Sequence, residues 1–152
     1  MTSRINPYAN MKLVQPFIDF ARSQAANSGL EPSLLELVKI RASQINGCAI
    51  CLAMHAKDAR TAGESEERIY MLDAWRESSL YNDRERAALA WTEALTRLTE
   101  TGAPDEDYEM VTAQFSPEEQ VNLTMAIVVI NGFNRLGVGF RVTPAIFHKQ
   151  AA

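Results

Sequence analysis

Residues 36–55 read ELVKIRASQINGCAICLAMH, two helical runs broken at Asn46-Gly47. Leu37, Val38 and Ile40 extend a wide apolar face that begins at Leu34 and Leu35, behind Pro32, where a helix can start. The Asn-Gly pair is a stop signal. A second helix is expected from Cys48 to about Gly63, with Ala49, Leu52, Ala53, Ala56 and Ala59 inward and Lys57, Arg60 and Glu64 outward. Small residues on the inner side let a neighbouring helix approach closely. The stretch predicts a tight helical hairpin.

The flanking sequence repeats the helical period. Val14, Phe17, Ile18, Ala21 and Ala25 fall on one face of a helix closed by Gly29, with Pro16 expected near its first turn. Residues 1–10 are expected to be irregular. Residues 66–76 suggest a short helix carrying Ile69, Leu72 and Trp75. Ala87, Trp91, Ala94, Leu95 and Leu98 form a stripe, with Glu93 and Arg97 spaced as an i, i+4 ion pair. Residues 105–114 read as a weaker, acidic helix. Ser116-Pro-Glu-Glu119 is a capping box with proline at the first helical position, and the helix it opens runs through VNLTMAIVVINGFNRLG. Residues 123–130 are apolar on every side, as in a helix at the middle of a bundle or between subunits. No useful stretch alternates with period two. The prediction is an all-α, compact bundle of six or seven helices forming one domain over residues 1–152, with its core at about 16–143.

Composition excludes some functions and directs others. The chain has a net charge of -4 and a pI near 5.2, so it lacks the clustered basic surface that nucleic acid or anionic lipid would require. The run at 123–130 is too short to span a bilayer, and the polar first ten residues hold no secretory signal. The only two cysteines stand three apart, unlike the framework of a small secreted domain. A cytoplasmic chain with no nucleic-acid or membrane partner is expected.

The chemistry concentrates in the hairpin. Cys48, Cys51 and His55 lie at i, i+3 and i+7, on one face of one helix. A Cys-x-x-Cys at a helix N-terminus, beside a histidine, is the setting in which a thiol pKa falls and the reactive thiolate appears. At 1.5 Å per residue, Glu36 lies roughly 16 Å before the turn and His55 roughly 12 Å after it, so antiparallel packing brings them within a helical turn. The spacing is consistent with a relay Glu36–His55–Cys51, with Cys48 as disulfide partner. Two plainer readings compete. The cysteines could be small core residues. They could also bind zinc with His55, for which His148, otherwise a surface residue, is the only further histidine. Trp75 and Trp91 read as core or pocket lining, and Arg41 as a solvated face or an ion-pair partner. Gly137-Val-Gly139 lacks the strand-to-helix context of a dinucleotide site.

Glu36, eleven intervening residues, then Cys48-Ala-Ile-Cys51-Leu-Ala-Met-His55 resemble the AhpD-like alkylhydroperoxidase branch of the carboxymuconolactone decarboxylase superfamily. Asn131-Gly-Phe-Asn134-Arg-Leu is similar to the last-helix pattern of that branch, and the resemblance spans roughly residues 16–143. It implies an all-helical subunit that forms a homo-oligomer, trimer or hexamer, with peroxidase activity at the cysteine pair. Carried over by position, Glu36 and His55 form the proton relay, Cys51 becomes the sulfenic acid and Cys48 resolves it. The better-known members have a histidine where Ile50 stands here. No flavin or nicotinamide motif is present, so no cofactor and no metal are expected. The implied partners are a hydroperoxide substrate and an external dithiol reductant or reductase protein. Two alternatives are a lyase of the carboxymuconolactone decarboxylase type, using Glu36 and His55 alone, and a non-catalytic, redox-sensing oligomer.

Overall fold

The computed structural model describes residues 2–9 and 11–144. Among them are eight α-helices and no strand: α1 (Met11–Asn27), α2 (Pro32–Asn46), α3 (Ala49–Thr61), α4 (Glu66–Met71), α5 (Asp83–Thr96), α6 (Leu98–Thr101), α7 (Asp105–Gln114) and α8 (Pro117–Gly139). Short 3-10 turns occupy Pro7–Ala9 and Leu72–Ala74. The all-α prediction holds. The count rises to eight because the segment after α5 folds as the one-turn α6.

Local chemistry sets the element ends. Gly47 takes φ 65° and ψ 33°, the left-handed conformation that ends α2, and Cys48 N–H closes the turn on Ser43 O at 3.0 Å. Ser116 and Glu119 form the predicted capping box of α8, and Asn82 and Glu85 form another at α5. Pro16 lies deeper in α1 than expected, five residues after its start. The carbonyl it leaves unbonded belongs to Lys12, on an exposed turn where water can replace the lost donor.

Helix α2 is the central strut, packed against α3, α5 and α8. Leu34, Leu35, Val38, Leu123 and Ile127 meet Ala87, Ala88 and Val111 in one cluster. Leu37, Ile40, Leu72, Trp75 and Leu89 form a second. Each such large side chain contributes about 1.5–3 kcal/mol by leaving water. The third cluster is small: Ala42, Cys48, Cys51 and Ile130, with Ile50 against it.

Helix α8 has the length and mean hydropathy, 1.3, of a membrane-spanning helix, although its most apolar run alone is too short. Here it is a core helix packed on α1, α2, α3, α5 and α7. All-round burial fails at Val128, which is 54% exposed. The α5 stripe also departs from expectation at its end, where Leu98 is 52% exposed. The chain leaves helical dihedrals at Arg97, and the Thr101 hydroxyl donates to the Ala94 carbonyl that this break frees, at 2.7 Å. Ala49, expected inward, is exposed, because the inner position at the start of α3 belongs to Cys48.

Candidate functional site

The hairpin arithmetic is met by the fold. Glu36 on α2 and His55 on α3 are in contact, with His55 Nδ1 2.9 Å from Glu36 Oε2. An ionised carboxylate only accepts hydrogen bonds, so Nδ1 carries the hydrogen and a neutral ring keeps its lone pair on Nε2. Lys39, one turn along α2, donates from Nζ to Glu36 Oε1 at 2.7 Å. Burial pushes the Glu36 carboxyl up, but the hydrogen bonds from His55 and Lys39, with the Lys39 charge, outweigh it and hold the group below its ordinary value. Both oxygens of Glu36 are thereby engaged and the imidazole is fixed in one tautomer. Sequence reasoning missed Lys39, though Glu36 and Lys39 at i, i+3 were a readable ion pair.

Cys48 and Cys51 are joined as a disulfide, with their Cα atoms 5.3 Å apart. Helix α3 begins at Ala49, so Cys48 is its N-cap and Cys51 its third helical residue. Cys48 is fully buried and Cys51 is 4% exposed. Behind them lies α8. Asn46 Nδ2 donates to Asn131 Oδ1 and Asn134 Oδ1, each at 2.9 Å, and Asn134 Nδ2 donates to Ser43 Oγ at 3.0 Å. This buried amide network ties the hairpin turn to α8.

Gly137, set aside as part of a nucleotide motif, has a packing role. A Cβ there would lie 2.6 Å from Cys48 Sγ and 3.1 Å from Ile50 Cγ2. Alanine ordinarily favours a helix interior over glycine by about 1 kcal/mol. Gly137→Ala is instead expected to destabilise the oxidised protein by about 1–3 kcal/mol through overpacking. Gly139→Ala, with nothing within 4 Å of its Cβ, is the control. Urea melts of the oxidised proteins check this, and a Gly137→Ala midpoint at or above wild type would refute it.

A cavity of about 510 Å³ opens beside the disulfide. Ile50, Cys51, Met54, His55 and Asp58 of α3 and Lys39 of α2 form one wall. The rest comes from α1, from α8 and from Tyr8 in the turn before α1. Its size suits a small organic molecule and most of its lining is apolar. Cys51 and His55 both face this space, and Cys48 does not line it. The contributions of α1, α8 and Tyr8 carried no signal in the sequence, because their contacts with the hairpin span long chain separations.

Ligand atoms of Glu36, His55 and Asp58 lie within 4.8 Å of one another, a grouping able in principle to hold a metal. The chemistry of the set fits poorly. One oxygen of Glu36 already carries an ammonium and the other an imidazole N–H, while Asp58 is exposed. Of the zinc set weighed from the sequence, the two sulfurs are bonded to each other, and His148 lies outside the described residues. Trp75 is core and Trp91 half-buried, and neither lines the cavity. Arg41 is an ion-pair partner, buried against Glu93.

The profile of the Carboxymuconolactone decarboxylase family matches residues 12–94, the part of the chain that includes Glu36, both cysteines and His55. The uncharacterized protein YdfG of Bacillus subtilis is 37% identical over 142 residues, which cover 91% of this chain and 94% of YdfG. A solved structure from Agrobacterium tumefaciens, a protein of unknown function described as a candidate antioxidant defence protein AhpD, superimposes with a TM-score of 0.89. It is 44% identical, over 95% of this chain and 99% of that one. The debrominase Bmp8 shares the fold, with a TM-score of 0.81 at 19% identity over 93% of this chain and 76% of its own.

Proposed function

The chain belongs to the carboxymuconolactone decarboxylase family, in its AhpD-like branch, and on that footing we propose that it is a thiol-dependent peroxidase reducing organic hydroperoxides through Cys51 and Cys48. One observation carries the reading. A redox-bonded cysteine pair presents a single sulfur, Cys51, to an apolar cavity that also receives an imidazole oriented by a carboxylate.

The reaction starts from the reduced pair. His55 accepts the Cys51 proton at Nε2, and Glu36 stabilises the cation that forms. The thiolate attacks the distal oxygen of ROOH: an S–O bond forms, the O–O bond breaks and the electron pair leaves on RO⁻, which is protonated to ROH. Sulfur is oxidised by two electrons to the sulfenic acid and the peroxide is reduced by two. Cys48 then attacks the Cys51 sulfur, expelling water and forming the disulfide. A partner dithiol, small or protein-borne, restores the pair by exchange. An apolar cavity favours a hydroperoxide with a hydrocarbon body over hydrogen peroxide.

The test mixes reduced protein with cumene hydroperoxide and follows peroxide and free thiols together. Peroxide is expected to fall while two thiols disappear per chain, and added dithiothreitol is expected to sustain turnover. Persistence of both peroxide and thiols would sink the reading. Bmp8 shows that the fold serves other reactions, so the double Cys→Ser variant is assayed as well. Activity on a lactone acid that survives loss of both thiols would favour the lyase alternative. A disulfide that forms with peroxide but never turns over would favour the sensor.

A further inference from the structure

We propose that the Tyr8 hydroxyl donates the proton to the departing oxygen of the hydroperoxide, an inference that rests on the peroxidase reading above. Displacement at a peroxide oxygen is in line: the attacking sulfur, the distal oxygen and the leaving oxygen are near a straight line. The oxygen that acquires charge is therefore carried away from the wall that holds the sulfur. His55 sits one turn beyond Cys51 on the same helix, and Lys39 and Asp58 belong to that same wall. All three are placed to serve the nucleophile's side of the reaction.

The remaining polar groups around the cavity are Tyr8, Arg22 and Gln24. Gln24 is occupied, since its Nε2 donates to Asn122 O at 2.9 Å. Arg22 is at the solvent edge, its side chain 76% exposed and 4.0 Å from Asp19. Tyr8 alone combines an acidic hydrogen, partial burial and a hydroxyl with no hydrogen-bond partner among the described residues. Burial pushes its pKa above the ordinary value, so the phenol is protonated throughout the neutral range.

The position of Tyr8 is set by the fold. Tyr8 N–H donates to Asn6 Oδ1 at 3.0 Å and Ala9 N–H to Asn6 O at 3.2 Å, which closes the short turn. Upstream, Arg4 donates from its backbone N–H to Phe140 O at 3.1 Å and from Nη1 to Gly139 O at 2.9 Å. The segment is thus tied to the end of α8, the helix that lends Ile130 and Phe133 to the cavity. A hydroxyl carried by a residue lining this apolar space is a donor available to developing charge, in the setting where such a donor has its largest effect. The proton balance closes. Tyr8 gives its proton to RO⁻, yielding ROH and a phenolate, and the proton that His55 took from Cys51 returns to the phenolate through water.

The leaving group supplies the test. An alkoxide is a strong base and needs a proton as it departs, whereas the carboxylate released from a peracid needs none. Rates of thiol oxidation are compared for reduced wild type and Tyr8→Phe, with cumene hydroperoxide and with peracetic acid. Tyr8→Phe is expected to lose about 10- to 100-fold with the alkyl hydroperoxide. With the peracid it is expected to stay within about twofold of wild type. An equal loss with both oxidants, which a packing role would give, or no loss with either, overturns the assignment while leaving the peroxidase reading intact. A wild-type protein inert toward both oxidants overturns the two together.

Discussion

Reduced Cys51→Ser protein is expected to leave cumene hydroperoxide untouched, slower than wild type by about 10³-fold or more, because it removes the nucleophile itself. Cys48→Ser is expected to consume one equivalent and stop. The asymmetry follows from the site. Cys51 lines the cavity, whereas Cys48 has no exposed surface and lies against the glycine at position 137. A peroxide can reach the first sulfur and not the second. The start of α3 points the same way. With Ala49 as the first helical residue, Cys51 falls in the first turn, where free N–H groups and the helix dipole favour a thiolate. Cys48 is the N-cap, but its sulfur accepts no hydrogen bond from the helix. Trapping with dimedone followed by mass spectrometry reads the result: one adduct at Cys51 in Cys48→Ser, none in Cys51→Ser. The reverse pattern would exchange the two roles in the mechanism.

What was legible in the sequence was whatever neighbouring residues decide among themselves. The Asn46-Gly47 stop, the Ser116–Glu119 cap and the run of α7 from Asp105 to Gln114 are local features, and each stands where the pattern puts it. The meeting of Glu36 and His55 was also legible, because a tight hairpin turns chain separation into a distance. Beyond the hairpin that arithmetic fails. Periodicity shows that Tyr8 precedes a helix and that α8 is apolar, but not that both border the space beside Cys51. Gly137 meets Cys48 across nearly ninety positions of chain, and a glycine has no side chain to announce what it accommodates. Glu93 misled most directly. Its spacing from Arg97 suggested an i, i+4 ion pair, yet it is buried beside Ala90 and Ala94 on α5 and pairs instead with Arg41 and Arg76.

That burial makes Glu93 the residue whose loss should cost the fold most. Its side chain, 8% exposed, accepts from Arg41 Nε at 2.7 Å and from Trp75 Nε1 at 2.9 Å, and its other oxygen pairs with Arg76. Arg41 is itself buried, with its further partners Asp73 and Gln44. Removing the carboxylate leaves a buried guanidinium short of its main counter-charge and an indole N–H without an acceptor. Glu93→Ala is expected to cost about 3–5 kcal/mol, the range for deleting one side of a buried pair. In a chain of this size that corresponds to a fall of roughly 6–20 °C in Tm. Asp73→Asn is the contrast: that carboxylate is 77% exposed, and its loss should cost less than about 1 kcal/mol. The pH dependence has a definite sign. Burial pushes the Glu93 carboxyl up, but hydrogen bonds from Trp75, Arg76 and Arg41, with the Arg41 charge, outweigh it and hold the group below its ordinary value. A folded-state pKa below the unfolded one means stability that is fully present above the unfolded value and is lost as pH falls through the folded value. Wild type should therefore lose stability on acidification more steeply than Glu93→Ala, and the two melting curves should converge at low pH. Parallel curves, or a Glu93→Ala loss no larger than that of Asp73→Asn, would mean that the buried cluster is neutralised by some other arrangement of its charges.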